Sequence, residues 1–152
     1  AVMGGQGVFI THCHFIQPYF SSFGIILESL QFGITITIYS KRIYDAVSET
    51  DGQRILVDRL WPRGIKKDDA KIDLWPKEIT PSNELRKWYH EDSENRWDEF
   101  QQRYRVELSQ VTVQLEELRK LIAQGPITLL TAAKNQGRNH VSVLLDVLNH
   151  KA

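Results

Sequence analysis

Cysteine is nearly missing from this chain: Cys13 is the single one in 152 residues. No internal disulfide can form, which fits a reducing cytoplasm, and a lone thiol outside the apolar core segments offers no thiol nucleophile. Net charge is missing too, with 19 Lys and Arg against 19 Asp and Glu. No global field draws the chain to nucleic acid or membrane, so such binding would need a local patch. Residues 1–33 contain no Lys or Arg, and their one charged side chain is Glu28. A secretory signal needs a basic leading region. A membrane span needs about 20 nearly continuous apolar residues, and His12, His14, Gln17, Pro18, Ser21 and Ser22 interrupt any such run. There is no glycine-rich phosphate loop and no Gly-x-Ser-x-Gly elbow. His12-Cys13-His14 has metal-binding residue types, but three adjacent side chains cannot all face one ion in a regular element, and no second ligand group follows at a suitable spacing. No metal and no cofactor are therefore expected.

What is present is ordinary globular composition, 41% hydrophobic and 25% charged, in a chain long enough for one domain with an extension. The division expected is a poorly specified extension over 1–33 and a single domain over 34–152. Ile34 to Tyr39 alternates apolar and polar residues, a half-buried strand of undetermined direction. Asp51-Gly52 marks a turn. Ile55-Leu56-Val57 reads as a buried strand, and Ile127-Thr128-Leu129-Leu130 as another. Between them, Thr80-Pro81 resembles a helix start, with Thr80 as cap and Pro81 at the first helical position. Leu85, Trp88 and Tyr89 form a first apolar stripe. Asp92 or Ser93 caps a further start. Trp97, Phe100, Tyr104, Leu108, Val111, Leu115, Leu118 and Ile122 then recur at spacings of three and four. That pattern is one long amphipathic helix, or two in series broken near Ser109. It ends at Gly125-Pro126, with Arg119 and Lys120 in its last turns. A last helix carries Val141, Leu144, Leu145 and Leu148, with Asn135 or Asn139 near its start. Strand, helices, strand, helix argues an α/β fold: a small layered structure with a short, mainly parallel sheet flanked by helices, the strands at 55 and 127 pairing in parallel.

Both core strands change character abruptly at their ends. Val57 is followed by Asp58, Arg59, Trp61, Pro62, Arg63 and Gly64; Leu130 is followed by Thr131, Lys134, Asn135 and His140. Parallel strands end on one edge of a sheet, where open α/β folds place their ligands. Arg59 and Arg63 can grip an oxyanion two-pronged, Lys134 is a point charge, and the free N–H groups at a helix start add positive character. The expected site therefore has Asp58 and His140 as proton-exchanging groups and Arg59, Arg63, Lys134, Asn135 and Trp61 as ligand contacts. The structural alternative is a strand end held by an ion pair of Asp58 with Arg59 or Arg63, with His140 a partly exposed helix residue.

The run Arg54-Ile55-Leu56-Val57-Asp58-Arg59-Leu60-Trp61-Pro62-Arg63-Gly64 resembles the signature of the YeaO-like bacterial proteins, domain of unknown function 488. Trp75, the segment Pro81 to Trp88, Trp97 with Phe100 and Tyr104, Gly125 to Leu130, Ala132-Ala133-Lys134 and Asn139-His140 extend the similarity from about Ile38 to the C-terminus. The resemblance implies a small cytoplasmic α/β domain without an established activity. In the wider group a cysteine often stands at the strand end matching Thr131; threonine here takes thiol chemistry away. Three functions compete: binding of an anionic small molecule bearing phosphate or carboxylate, with or without catalysis; a nucleic-acid-binding module using Lys41-Arg42, Arg63, Lys66-Lys67, Lys71 and Trp61; or an interaction module without chemistry.

Overall fold

A computed structural model describes residues 25–28, 35–135 and 137–150, with backbone alone for 25–28 and 35–37. The motif His12-Cys13-His14 lies outside these residues. Four strands form one sheet in the order β1-β2-β4-β3, with β1 Ile25–Glu28, β2 Thr35–Arg42, β3 Gln53–Leu56 and β4 Ile127–Thr131. β4 pairs in parallel with both β2 and β3, placing Ile38 and Gln53 opposite Ile127 and Ile55 opposite Leu129. β2 therefore runs in the direction of β3, which alternation alone left open. β1 adds an antiparallel edge to β2. The architecture is the small α/β fold expected, with three parallel strands in one sheet.

The pleat sorts each strand between two cores. Ile38, Ile55, Val57, Ile127 and Leu129 face the helices α2 Asn83–Glu91, α3 Trp97–Ser109, α4 Thr112–Gln124 and α5 His140–Asn149. Ile43, Leu56 and Leu130 face the other way, under Trp61, Ile65, Ile72 and Trp75 and the short helix α1 Lys67–Ala70. Central strands covered on both faces read as unbroken apolar runs, which is why 55–57 and 127–130 carry no alternation.

Three local features align the strand ends. Gly52 has φ +63°, and a Cβ there would stand 2.0 Å from the Pro126 carbonyl oxygen, the same oxygen that accepts from the Gln53 N–H. Glycine is required for that approach, which starts β3 level with β4. Asp73-Leu74 covers the outer side of β3: the Leu56 N–H donates to Leu74 O, and the Asp73 and Leu74 N–H groups donate to Arg54 O. On the second face, Asp51, Arg54 and Lys41 form a buried charge cluster. Asp51 Oδ2 lies 2.5 Å from Arg54 Nη1, and Oδ1 lies 2.6 Å from Lys41 Nζ. Arg54 also donates to Ala70 O through Nε and Nη2, tying the end of α1 to the sheet. Asp51 is desolvated, which would raise its pKa; the bonds from Lys41, Ser48 and Arg54 outweigh this and hold it below the ordinary value.

Helix boundaries depart from expectation in three places. α2 is capped by Ser82, whose oxygen accepts from the Leu85 N–H, and not by Thr80, whose hydroxyl donates to Lys77 O. Neither Asp92 nor Ser93 caps α3; Asp92 accepts from the Asn95 backbone and amide instead, and Arg96 stands at the cap without a side-chain bond. Arg119 does not serve its own helix end: it pairs with Glu116 and donates to the carbonyls of Val147, in the last turn of α5, and of His150, its C-cap. The break between α3 and α4 falls at Gln110 and Val111, as the pattern near Ser109 indicated.

Candidate functional site

The parallel strands end on one edge, and Asp58 is the group around which that edge is organised. Its Oδ1 accepts from the Thr131 hydroxyl at 2.6 Å, and its Oδ2 from the Ala132 N–H at 2.7 Å. His140 Nε2 lies 3.1 Å from Oδ1 and 2.8 Å from the Val57 carbonyl oxygen. Both neighbours are acceptors, so Nε2 carries the hydrogen and Nδ1 is left for another partner. The Asp58 carbonyl is held as well, accepting from the Trp75 indole N–H at 2.7 Å. Burial would push the Asp58 carboxyl up; the contacts from His140, Thr131 and Ala132 outweigh it and keep the group below its ordinary pKa.

Local sequence explains this placement. Thr131 is the last residue of β4, and its hydroxyl also accepts from the Ala133 N–H, which turns the chain off the sheet. Asn135 Oδ1 accepts from the N–H groups of Gly137 and Arg138, a side-chain-built turn. Asn139 then caps α5, its Oδ1 accepting from Val141 and Ser142, and His140 follows as the first helical residue. The cap is Asn139 rather than Asn135, and it fixes the angle at which His140 meets Asp58.

Of the residues singled out from sequence, the structure brings Asp58 and His140 into contact. The other five make no hydrogen bond or ion pair with these two among the described residues. Asp58 is not paired with Arg59 or Arg63. Arg59 Nη1 reaches the Lys77 carbonyl at 3.3 Å and the Thr80 hydroxyl at 3.4 Å. Arg63 and Lys134 are exposed and have no carboxylate partner among the described residues. Asn135 is exposed and spends its oxygen on the turn. Trp61 is half-buried: its indole N–H donates to Ile65 O at 2.7 Å and its ring meets Trp75 edge-on at 5.4 Å.

Four neighbours were not among the site residues expected from sequence, although the sequence places Thr131 at the strand end and Arg42 in a basic patch. Thr131 was visible only as a residue at a strand end. Arg138 is exposed beside the α5 cap, its carbonyl accepting from the Tyr89 hydroxyl. His90, in the last turn of α2, has its pKa pulled down by desolvation and then by the positive charges of Arg86 and His140. Arg42 stands opposite Thr131 in the β2–β4 register, four residues on from Ile38 and hence on the same sheet face. Register decides that neighbourhood, and register was not legible before the direction of β2 was known. Elsewhere, an open groove of about 420 Å³ between α2 and α3 is lined by residues such as Ser82, Leu85, Trp88 and Glu107, and by none of the strand-end residues.

The chain is similar to known proteins. A family profile described as the inactive DUF488-N3 subclade, DUF488-N3i, matches residues 37–152. The uncharacterized protein YeaO of Escherichia coli is 48% identical over 113 residues, 74% of this chain and 97% of YeaO. The uncharacterized protein Rv3073c of Mycobacterium tuberculosis is 47% identical over 108 residues, 71% of this chain and 90% of the relative. No solved structure matches the chain.

Proposed function

Given that the chain belongs to the DUF488-N3i family, a family without an assigned activity, we propose that it binds an anionic small molecule bearing phosphate or carboxylate at the carboxyl ends of its parallel strands. One observation carries this reading: the acid at this edge is already consumed, and the bases are not. Segments 58–66 and 131–140 hold five bases, Arg59, Arg63, Lys66, Lys134 and Arg138, against one acid, Asp58. The Asp58 carboxylate is taken by Thr131, Ala132 and His140, and none of the five bases has a carboxylate partner among the described residues. Screening beyond about 8 Å at physiological salt makes the chain's overall neutrality irrelevant at such an edge. In this reading Asp58 orients His140 rather than acting as a base, and His140 Nδ1 faces the ligand. The description of the family as inactive, together with threonine at the strand end, favours binding over turnover.

Thermal unfolding in the presence of inorganic phosphate, phosphorylated metabolites and di- and tricarboxylates tests the proposal. A ligand at 100 times its Kd adds about 2.7 kcal/mol, or about 5–11 °C for a domain of this size. The gain should vanish when Arg59→Ala and Arg63→Ala are combined. No shift with any anion, or an undiminished shift in the double variant, rejects it.

A further inference from the structure

Arg42 is the cation of this edge that the strand-end residues do not account for. It ends β2 beside Thr131, on the sheet face where Thr131 meets Asp58. Its Nε is buried and has no acceptor among the described residues, and its side chain forms no ion pair there. The nearest acid in sequence is not its partner: Asp45 accepts from the Arg42 backbone N–H. What the guanidinium does meet is the Tyr44 ring, with Cζ 5.0 Å from the centroid. Tyr44 is 48% exposed, and its hydroxyl donates to the Arg63 carbonyl at 3.1 Å. That bond ties the turn after β2 to the loop after β3 and brings the Arg63 backbone beside the Tyr44 ring that Arg42 covers. A buried Nε lies out of a ligand's reach, and Arg86 and Arg119 have one too; the two Arg42 Nη groups, which make no hydrogen bond among the described residues, are the pair that suits a phosphate, which accepts two parallel N–H bonds. A tyrosine ring held at one edge, in contact with a cation and still open to solvent, is a stacking surface for a flat heterocycle.

Resting on the anion-binding reading above, we infer that the ligand is a nucleotide unit: a phosphate gripped by Arg42 and Arg63, with its base stacked on Tyr44. A free nucleoside monophosphate and one residue of a single strand share this chemistry. Two sources are therefore compared by calorimetry on the full chain: the four nucleoside 5′-monophosphates, and a hexanucleotide of mixed sequence. Ribose 5-phosphate, which has the phosphate and sugar but no base, is the reference. The expected result is a monophosphate binding at least tenfold more tightly than ribose 5-phosphate. Arg42→Lys keeps the charge but not the two-pronged grip and should weaken nucleotide binding about tenfold. Tyr44→Leu should bring the nucleotide to the level of ribose 5-phosphate, while Tyr44→Phe retains the preference. Unfolding midpoints of all variants establish that they fold. A hexanucleotide that binds more tightly than any monophosphate, with affinity falling steeply as salt rises, identifies a single strand as the source; equal affinity identifies the free nucleotide. Equal binding of ribose 5-phosphate and monophosphates overturns the nucleotide assignment and leaves anion binding standing. So does anion binding that is unchanged in both Arg42→Lys and Tyr44→Leu. Absence of binding by every phosphate compound overturns the nucleotide assignment, and anion binding falls with it only if the di- and tricarboxylates also give no shift.

Discussion

Replacing Asp58 by asparagine should destabilise the protein by about 3 kcal/mol, and the figure follows from the contacts. The carboxylate accepts from Thr131 at 2.6 Å, Ala132 at 2.7 Å and His140 at 3.1 Å. An amide keeps its oxygen either on the side of Thr131 and His140 or on the side of Ala132 and turns an NH₂ toward a donor on the other, so one or two of the three contacts are lost. Hydrogen bonds to a charged group contribute about 1.5–3 kcal/mol each. The side chain is only 15% exposed, so removing the charge also relieves desolvation, which brings the sum down. Urea unfolding at pH 7 reads this directly as a lower midpoint with unchanged slope, and a thermal scan as a drop of about 6–12 °C. Thr131→Val should cost about 1 kcal/mol alone and clearly less in the Asp58→Asn background, because the two share one bond. A loss under about 1 kcal/mol for Asp58→Asn, or simple additivity with Thr131→Val, refutes the view that this carboxylate organises the strand ends.

Two further outcomes are expected. Gly52→Ala places a Cβ 2.0 Å from Pro126 O at a positive φ; the strain should cost at least about 2 kcal/mol in urea unfolding, and a neutral result would show that the β3–β4 start can shift. Stability should also fall on acidification below 3.8, the ordinary value from which Asp51 and Asp58 are both lowered. Groups with depressed folded pKa values contribute fully above the unfolded value and lose that contribution as the pH falls through the folded one. Asp58→Asn and the parent should accordingly converge as the pH drops below 3.8; curves that stay parallel contradict the assignment.

The fold was legible where one chain segment carried the signal. The apolar runs at 55–57 and 127–130, the helical stripe from Trp97 to Ile122 with its break near Ser109, and the Asp51-Gly52 turn all appear in the structure where local pattern put them. The parallel pairing of β3 with β4 followed from the order of elements. What pattern missed depended on partners distant in sequence. Ser82 displaced Thr80 as the α2 cap while its hydroxyl and N–H also engage Glu107 of α3, a contact 25 residues away. Asp73-Leu74 carried no signal of its pairing because its hydrogen bonds belong to β3. At the site, the chemical types of Asp58 and His140 were evident from the abrupt ends of the strands, whereas Arg42 became a neighbour of Thr131 only through the β2–β4 register.

The backbone of Asp73 and Leu74 already occupies the hydrogen-bonding rim of β3. A second polypeptide trying to lengthen the sheet from that side finds its docking positions filled by the chain itself. Growth there would first have to peel away a segment whose neighbour, Trp75, holds the Asp58 carbonyl. Resistance to sheet-to-sheet association and the shape of the polar edge are thus maintained by one stretch of chain, and loosening it would compromise both.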